Sequence, residues 1–300
     1  MAYSSLGGFR GSIYTDAVQG IVRLVGTVVA LAAVGLAAHA QPAQFMANLR
    51  AAGDDFLTPF PSGTSATAVL AFFVGFAMAA VGFGLGQPQI ISRYMAGRSP
   101  QETRSAAWIY IGFLQFTWIS MTCFGMALRG VMPGIADPEQ GLSIFLRGSV
   151  TPLLAGILIA DVYATIASTS NGVLVAIGQL LHRDVMPLLR RQARPAQVTP
   201  WRTILLAGVL TVLLAEVLPG SVFSLALGSV SKIGAALAAA VIVKLFGWRH
   251  SAGSLLIAVT LGFACALGWS ALGYSNGFNE AGVGMIAGLV ANHLAARAWR

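Results

Sequence analysis

Charge is scarce in this sequence. Of 300 residues, 10 are acidic and 18 are Lys or Arg, 9% together, against about 25% in an ordinary soluble domain. A water-soluble chain of this length needs a far more charged surface, so that class is excluded. Cysteine is nearly missing as well. Cys123 and Cys265 both fall within apolar runs, imply no disulfide framework and read as small packing residues. The four histidines, His39, His182, His250 and His293, lie in or beside loops. No zinc-ligand spacing, nucleophile–base pair or phosphate loop is found, and no enzyme is expected. The net charge of +8 comes from arginines in short gaps between apolar runs, with no basic domain to hold a nucleic acid.

What fills the chain is hydrophobic residue, 56% of it. The expected class is an all-α polytopic membrane protein with about eight transmembrane helices. The spans are drawn at 13–38, 64–91, 105–128, 152–181, 202–218, 221–247, 252–274 and 281–297, with Pro219-Gly220 separating the fifth from the sixth. One set of gaps carries Arg93, Arg98, Arg104, Arg183, Arg190, Arg191, Arg194, Arg202 and Arg249, with Arg297 and Arg300 on the same side. The alternate set mixes Arg50, Arg129 and Arg147 with Asp54, Asp55, Asp137, Glu139 and Glu280. An excess of arginine marks the cytoplasmic side, which places both termini there. A competing reading takes Leu24 to Leu36, followed by Ala38-His39-Ala40, as a signal-peptide core and cleavage site; Arg23 inside the run weighs against it.

Four places depart from plain apolar helix. In the fourth span, Asp161, Thr165, Ser168, Thr169 and Gly172 share one side of a helix, and a carboxylate with hydroxyls must face protein, water or an ion. The alternative is hydroxyls bonded to the carbonyl one turn back, beside small residues that let helices approach. In the second span, Gly82-Phe83-Gly84-Leu85-Gly86-Gln87-Pro88-Gln89 is expected to unwind, or else to be a proline kink with glycines for close packing. Near the start, Gly7-Gly8-Phe9 through Thr15-Asp16 and Gln19 reads as a loop and a helix start, with Thr15 or Asp16 as N-cap. In the sixth span Lys232 falls near mid-membrane, where its charge must be paired, snorkelling or lost. Depth and sign pair it with Asp161. The third span carries Trp108, Tyr110, Phe113, Phe116 and Trp118 as anchors and packing residues, and the 129–148 segment lies along the surface or folds over a vestibule.

Three of these strings together resemble the sodium:solute symporter family, and within it the sodium/proline symporter branch: Gly7-Gly8-Phe9 to Thr15-Asp16 and Gln19; Gly86-Gln87-Pro88 with Arg93; and Ala164-Thr165-Ile166-Ala167-Ser168-Thr169. The resemblance implies a partial inverted-repeat, leucine-transporter-like fold forming one transmembrane domain over 1–300. Residues 1–63 would hold the helix closing a first repeat plus an external loop, 64–247 the second repeat of five helices, and 248–300 two further helices. It implies Na⁺-coupled symport of a small organic solute, an amino acid or carboxylate-like molecule, by alternating access. Na⁺ would bind at Ser168, Thr169 and the Thr165 carbonyl, with no other cofactor. Solute would bind at Phe83, Gly84, Gln87 and Pro88, while Asp16, Asp161 and Lys232 serve coupling or gating. The family's chains begin with about five more helices, so this chain resembles the C-terminal portion and is expected not to transport alone: either the sequence is a fragment, or its start is misassigned, or a separate partner chain supplies those helices. Ala80 and Gly84 stand where the proline branch has Trp and Tyr, which argues against proline as solute. The Lys232 ammonium, standing in for a cation, would favour H⁺ coupling. A non-transporting sensor or partner module on the same fold is the alternative. The expected location is a bacterial-type plasma (inner) membrane.

Overall fold

The computed structural model describes residues 2–190, 201–217 and 221–298, and every regular element among them is helical. In order they are α1 (Ala2–Ala40), α2 (Pro42–Ala51), α3 (Ala66–Gly86), α4 (Pro88–Met95), α5 (Pro100–Val131), α6 (Gly141–Gly148), α7 (Pro152–Leu180), α8 (Met186–Arg190), α9 (Trp201–Val217), α10 (Val222–Leu245), α11 (Ala252–Ala271) and α12 (Glu280–Ala298). A π-helical turn, Leu181–Val185, joins α7 to α8. Among the described residues, helix occupies most of each of the eight expected ranges, with a break at Gln87 in the second. Six stretches are long and apolar enough to cross a membrane: Phe9–Ala40, Ala66–Gly86, Pro100–Val131, Pro152–Leu189, Val222–Leu245 and Ala252–Ala271. The Pro219-Gly220 break, Arg191, Arg194 and Arg300 lie outside the described residues.

Serine sets several of the starts. The hydroxyls of Ser65, Ser99 and Ser221 accept from the amides of Ala68, Glu102 and Ser224 at 3.2, 3.1 and 3.2 Å. Ser251 and Ser254 cap α11 reciprocally at 3.0 and 2.8 Å, which satisfies amides that have no partner inside the helix. Pro100 and Pro152 stand in the first turns of α5 and α7, where the missing N–H is harmless. Asp16 is not a cap. Helix α1 begins at Ala2 and runs through Gly7-Gly8, so Asp16 is one of its interior residues.

The chain divides into two compact units that alternate along the sequence: Met1–Pro59 with Arg98–Leu218, and Phe60–Gly97 with Pro219–Arg300. In the first, α1 packs against α5, α7 and α9. Its core gathers Val34 of α1, Phe124 and Leu128 of α5, Phe145 and Leu146 of α6, and Leu158 of α7. Phe124 and Phe145 meet edge to face at 5.7 Å. Helix α6 buries its apolar face, Phe145 and Leu146, in this core. Leu174 and Val175 join Ile204 and Ala207 between α7 and α9, where the Thr203 hydroxyl donates to the Gly178 carbonyl at 2.9 Å. Cys123 and Cys265 are free and exposed on their helices, so neither is a packing residue within its unit.

In the second unit α10 touches α3, α11 and α12 through glycine and alanine. Without aqueous exclusion to drive them together, helices in lipid gain from close backbone approach, which small residues allow. Gly262 and Gly284 face each other beside Ala235, and Gly288 fits against Ala239 and Ala258. One polar contact ties α11 to α12. The Ser254 hydroxyl donates to Asn292 Oδ1 at 2.8 Å, and Asn292 Nδ2 donates to the Arg249 carbonyl at 3.1 Å. Asn292→Leu removes both bonds from a buried position and is expected to cost about 1–2 kcal/mol, read as a lower Tm of the purified protein.

Candidate functional site: a polar helix seam and an interrupted helix

Helices α1 and α7 run antiparallel and meet along a polar seam. The Ser168 hydroxyl donates to Asp16 Oδ1 at 2.7 Å, and the Ser12 hydroxyl, one turn earlier on α1, donates to Asp16 Oδ2 at 3.2 Å. Seven residues further along α1, and seven back along α7, Arg23 Nη1 bonds Asp161 Oδ2 at 2.8 Å. Two turns of each helix separate the levels, about 10 Å along the axis. The common spacing of seven is the repeat that keeps one face of each helix on the other over a long contact. Gly26 makes the second level possible, because a Cβ there would collide with the Asp161 carboxyl.

The other hydroxyls of the stripe diverge. Thr165 is half-buried and donates to the Asp161 carbonyl one turn back at 2.9 Å. Ser168 turns to α1, whereas Thr169, one residue on, is exposed within its unit.

In the second unit the glycine-rich stretch is interrupted at one residue only. Helix α3 stays regular through Gly86, Gln87 leaves the helix at φ −99° and ψ 106°, and α4 restarts with Pro88 in its first turn. The expected unwinding over Gly82 to Gln89 is thus confined to Gln87. Gly82 and Gly86 are there for packing: the Gly86 Cα lies so close to α10 that an added Cβ would sit 2.6 Å from the Gly234 Cα. Gly84 has open space on its side, and Phe83 and Pro88 are half-buried. Gln87 is 4% exposed; its Oε1 accepts from Gln89 Nε2 at 2.6 Å, while its own Nε2 has no partner among the described residues.

Lys232 lies on α10 of this unit. Its Nζ donates to the Gly228 carbonyl at 3.3 Å and stands 3.8 Å from Glu280 Oε1. Glu280 is buried at the start of α12, behind Asn279, whose Oδ1 accepts from the Ala281 amide at 2.9 Å. The expected Asp161–Lys232 pair is therefore corrected: each ion has a partner inside its own unit, Arg23 for Asp161 and Glu280 for Lys232. Depth and sign narrow the choice of partner without fixing it, because helix register decides which charges meet. Sequence reasoning missed three residues: Ser12, Arg23 as a partner, and Glu280, assigned to an external gap. The seven-residue spacing of Asp16 and Arg23 against that of Asp161 and Ser168 was the available signal for the first pairings.

Long apolar helices whose ionisable side chains are buried against one another define a polytopic integral membrane protein, in which such groups mark paths for ions or solutes. The sodium:solute symporter family model matches residues 1–262, and the chain belongs to that family. It is similar to the high-affinity proline transporter PutP of Bacillus subtilis (strain 168), 28% identical over 312 aligned residues covering 98% of this chain and 61% of that protein. It is also similar to the osmoregulated proline transporter OpuE of the same organism, 26% identical over 96% of this chain and 59% of the relative. A sodium/pantothenate symporter of Haemophilus influenzae is 27% identical over 61% of this chain and 37% of the relative. The chain thus spans about six-tenths of the length of the first two relatives. No solved structure matches it.

Proposed function

We propose that this chain carries the ion-binding half-site and the solute-binding break of a Na⁺-coupled symporter for a small organic solute. Na⁺ is held on α7 by the Ser168 and Thr169 hydroxyls and the Thr165 carbonyl, oxygen donors that bring no full charge of their own. Solute docks where α3 gives way to α4, at Phe83, Gly84, Gln87 and Pro88, with the unpartnered Gln87 amide N–H groups as the polar contact. Asp16 couples to the ion through Ser168, while Asp161 and Lys232 hold their elements through Arg23 and Glu280. The cycle is alternating access: Na⁺ favours one state, solute joins, and rocking releases both on the far side. The setting is the plasma membrane, with both termini on the arginine-rich cytoplasmic side.

The observation that supports this reading is the 2.7 Å bond between Ser168 and Asp16, which joins two of the sequence strings that resemble the family. The test is uptake of radiolabelled sodium into proteoliposomes holding this chain alone, or together with a complementary N-terminal chain. Ser168→Ala/Thr169→Ala is expected to lower solute-stimulated uptake about tenfold or more, the worth of about 1.4 kcal/mol of ion affinity. Uptake equal to that of the parent protein would sink the assignment of these hydroxyls.

A further inference from the structure

The far end of α7 leaves both charge and apolar surface without a partner. The rod from Pro152 to Leu189 holds 38 residues, about 57 Å at ~1.5 Å per residue, against a hydrocarbon core of about 30 Å. A tilt of about 40° still leaves roughly 44 Å along the bilayer normal. Pro152 to Ala160 carry no polar side chain, whereas His182-Arg183-Asp184 do, so the excess length lies at the latter end. Beyond the core polar residues are expected, yet Leu188 and Leu189 are 82% and 76% exposed. Arg183, in the π-helical turn, is exposed and has no hydrogen bond or ion pair among the described residues. Helix α9 begins beside this end: the Thr203 hydroxyl bonds the Gly178 carbonyl, and Ile204 fills the space a Gly178 Cβ would need. Trp201 and Arg202 therefore stand level with the last turn of α7. Both are exposed, and the Arg202 guanidinium lies 5.3 Å from the Trp201 ring centre. From Arg183 to Arg202 the sequence has five arginines against one acid, Asp184, so the field at this end is positive.

We propose that this end of the α7–α9 pair is a docking surface for anionic phospholipid of the cytoplasmic leaflet, the side on which arginine-rich gaps lie. Arg183 and Arg202 bond headgroup phosphates, Trp201 stands at headgroup depth, and Leu188 and Leu189 enter the acyl region beneath. The π-helical turn, a common site of helix bending, lets the residues after it lie on the bilayer. A guanidinium meets phosphate through paired N–H bonds, and juxtamembrane arginines are drawn to a negatively charged leaflet. Each arginine takes its own phosphate, so the two need not converge on one point. Exposed leucines beside them select a lipid over free phosphate, which brings no apolar phase. Nothing in this surface depends on Na⁺ at Ser168 and Thr169.

The test uses the full chain purified in a neutral detergent, with bound phosphatidylglycerol and phosphatidylcholine of identical acyl chains counted by native mass spectrometry. The parent protein is expected to bind phosphatidylglycerol about tenfold more tightly than phosphatidylcholine, and to lose most of that preference as salt is raised. Arg183→Gln/Arg202→Gln is expected to abolish the preference, and Leu188→Ser/Leu189→Ser to weaken both lipids several-fold. Arg98→Gln/Arg249→Gln, which removes two exposed arginines elsewhere on the same side, is expected to change nothing. All these substitutions fall on exposed residues, and the salt response of the parent protein reads the same contact without any substitution. The proposal is overturned if the parent binds both lipids equally, or if the preference survives the loss of Arg183 and Arg202. It is also overturned if the Arg98/Arg249 change costs as much, or if the serine variant binds as well as the parent. Inorganic phosphate that displaces the lipid completely overturns it too, because the surface then serves a free anion.

Discussion

Asp161→Ala is expected to cost about 3–5 kcal/mol of folding free energy, whereas Asp161→Leu made together with Arg23→Met is expected to be neutral or stabilising. The asymmetry follows from what each change leaves behind. Alanine at 161 strands the Arg23 guanidinium, four-fifths buried on α1, without the carboxylate it bonds at 2.8 Å. Its hydration is not returned, because the seam around it is closed by α7. Removing both charges removes both desolvation penalties, and Leu with Met restores apolar contact between neighbouring turns whose partners already include Ala30 and Leu158. Unfolding of the purified variants, followed by heat or denaturant, decides the matter. Equal losses for the single and paired changes would mean that the pair contributes through shape and not through charge.

Gly86→Ala is expected to be as damaging, at about 3 kcal/mol or more, while Gly84→Ala two residues away is expected to gain up to about 1 kcal/mol. At Gly86 the added methyl meets backbone: the Gly234 Cα at 2.6 Å and the Ile233 carbonyl at 3.1 Å. Backbone cannot rotate away as a long side chain can, so α3 and α10 must separate along their whole contact. At Gly84 nothing lies within 4 Å, and alanine only improves helix propensity. The ratio of folded to aggregated protein on size-exclusion chromatography checks both. A well-folded Gly86→Ala variant would show that α3 and α10 do not depend on backbone contact.

Helix positions were legible because lipid leaves the backbone one economical solution, and because serine and proline punctuate it: Ser65, Ser99, Ser221 and Ser251 cap helices at starts readable within a few residues. The polar stripe on α7 was legible for the same reason, since Asp161 and Ser168 needed a protein partner. Which partner was not legible. Pairing Asp161 with Lys232 used depth alone, whereas the bond to Arg23 is fixed by how α1 and α7 mesh. Glu280 was lost to a loop because its burial depends on where Asn279 starts α12. At Gly82 and Gly86 composition alone was ambiguous between a broken helix and a touching one. Only the position of Gly234 decides between them.

The seven-residue spacing shared by the two levels has a mechanical consequence. Sliding α1 past α7 by a single turn, about 5.4 Å, strips Asp16 of Ser168 and Arg23 of Asp161 in the same stroke, and in one direction delivers the guanidinium to Leu158. Both contacts are thus tied to one register of α1 on α7, and a full turn's displacement costs the seam its charge pair and its hydroxyl bond together.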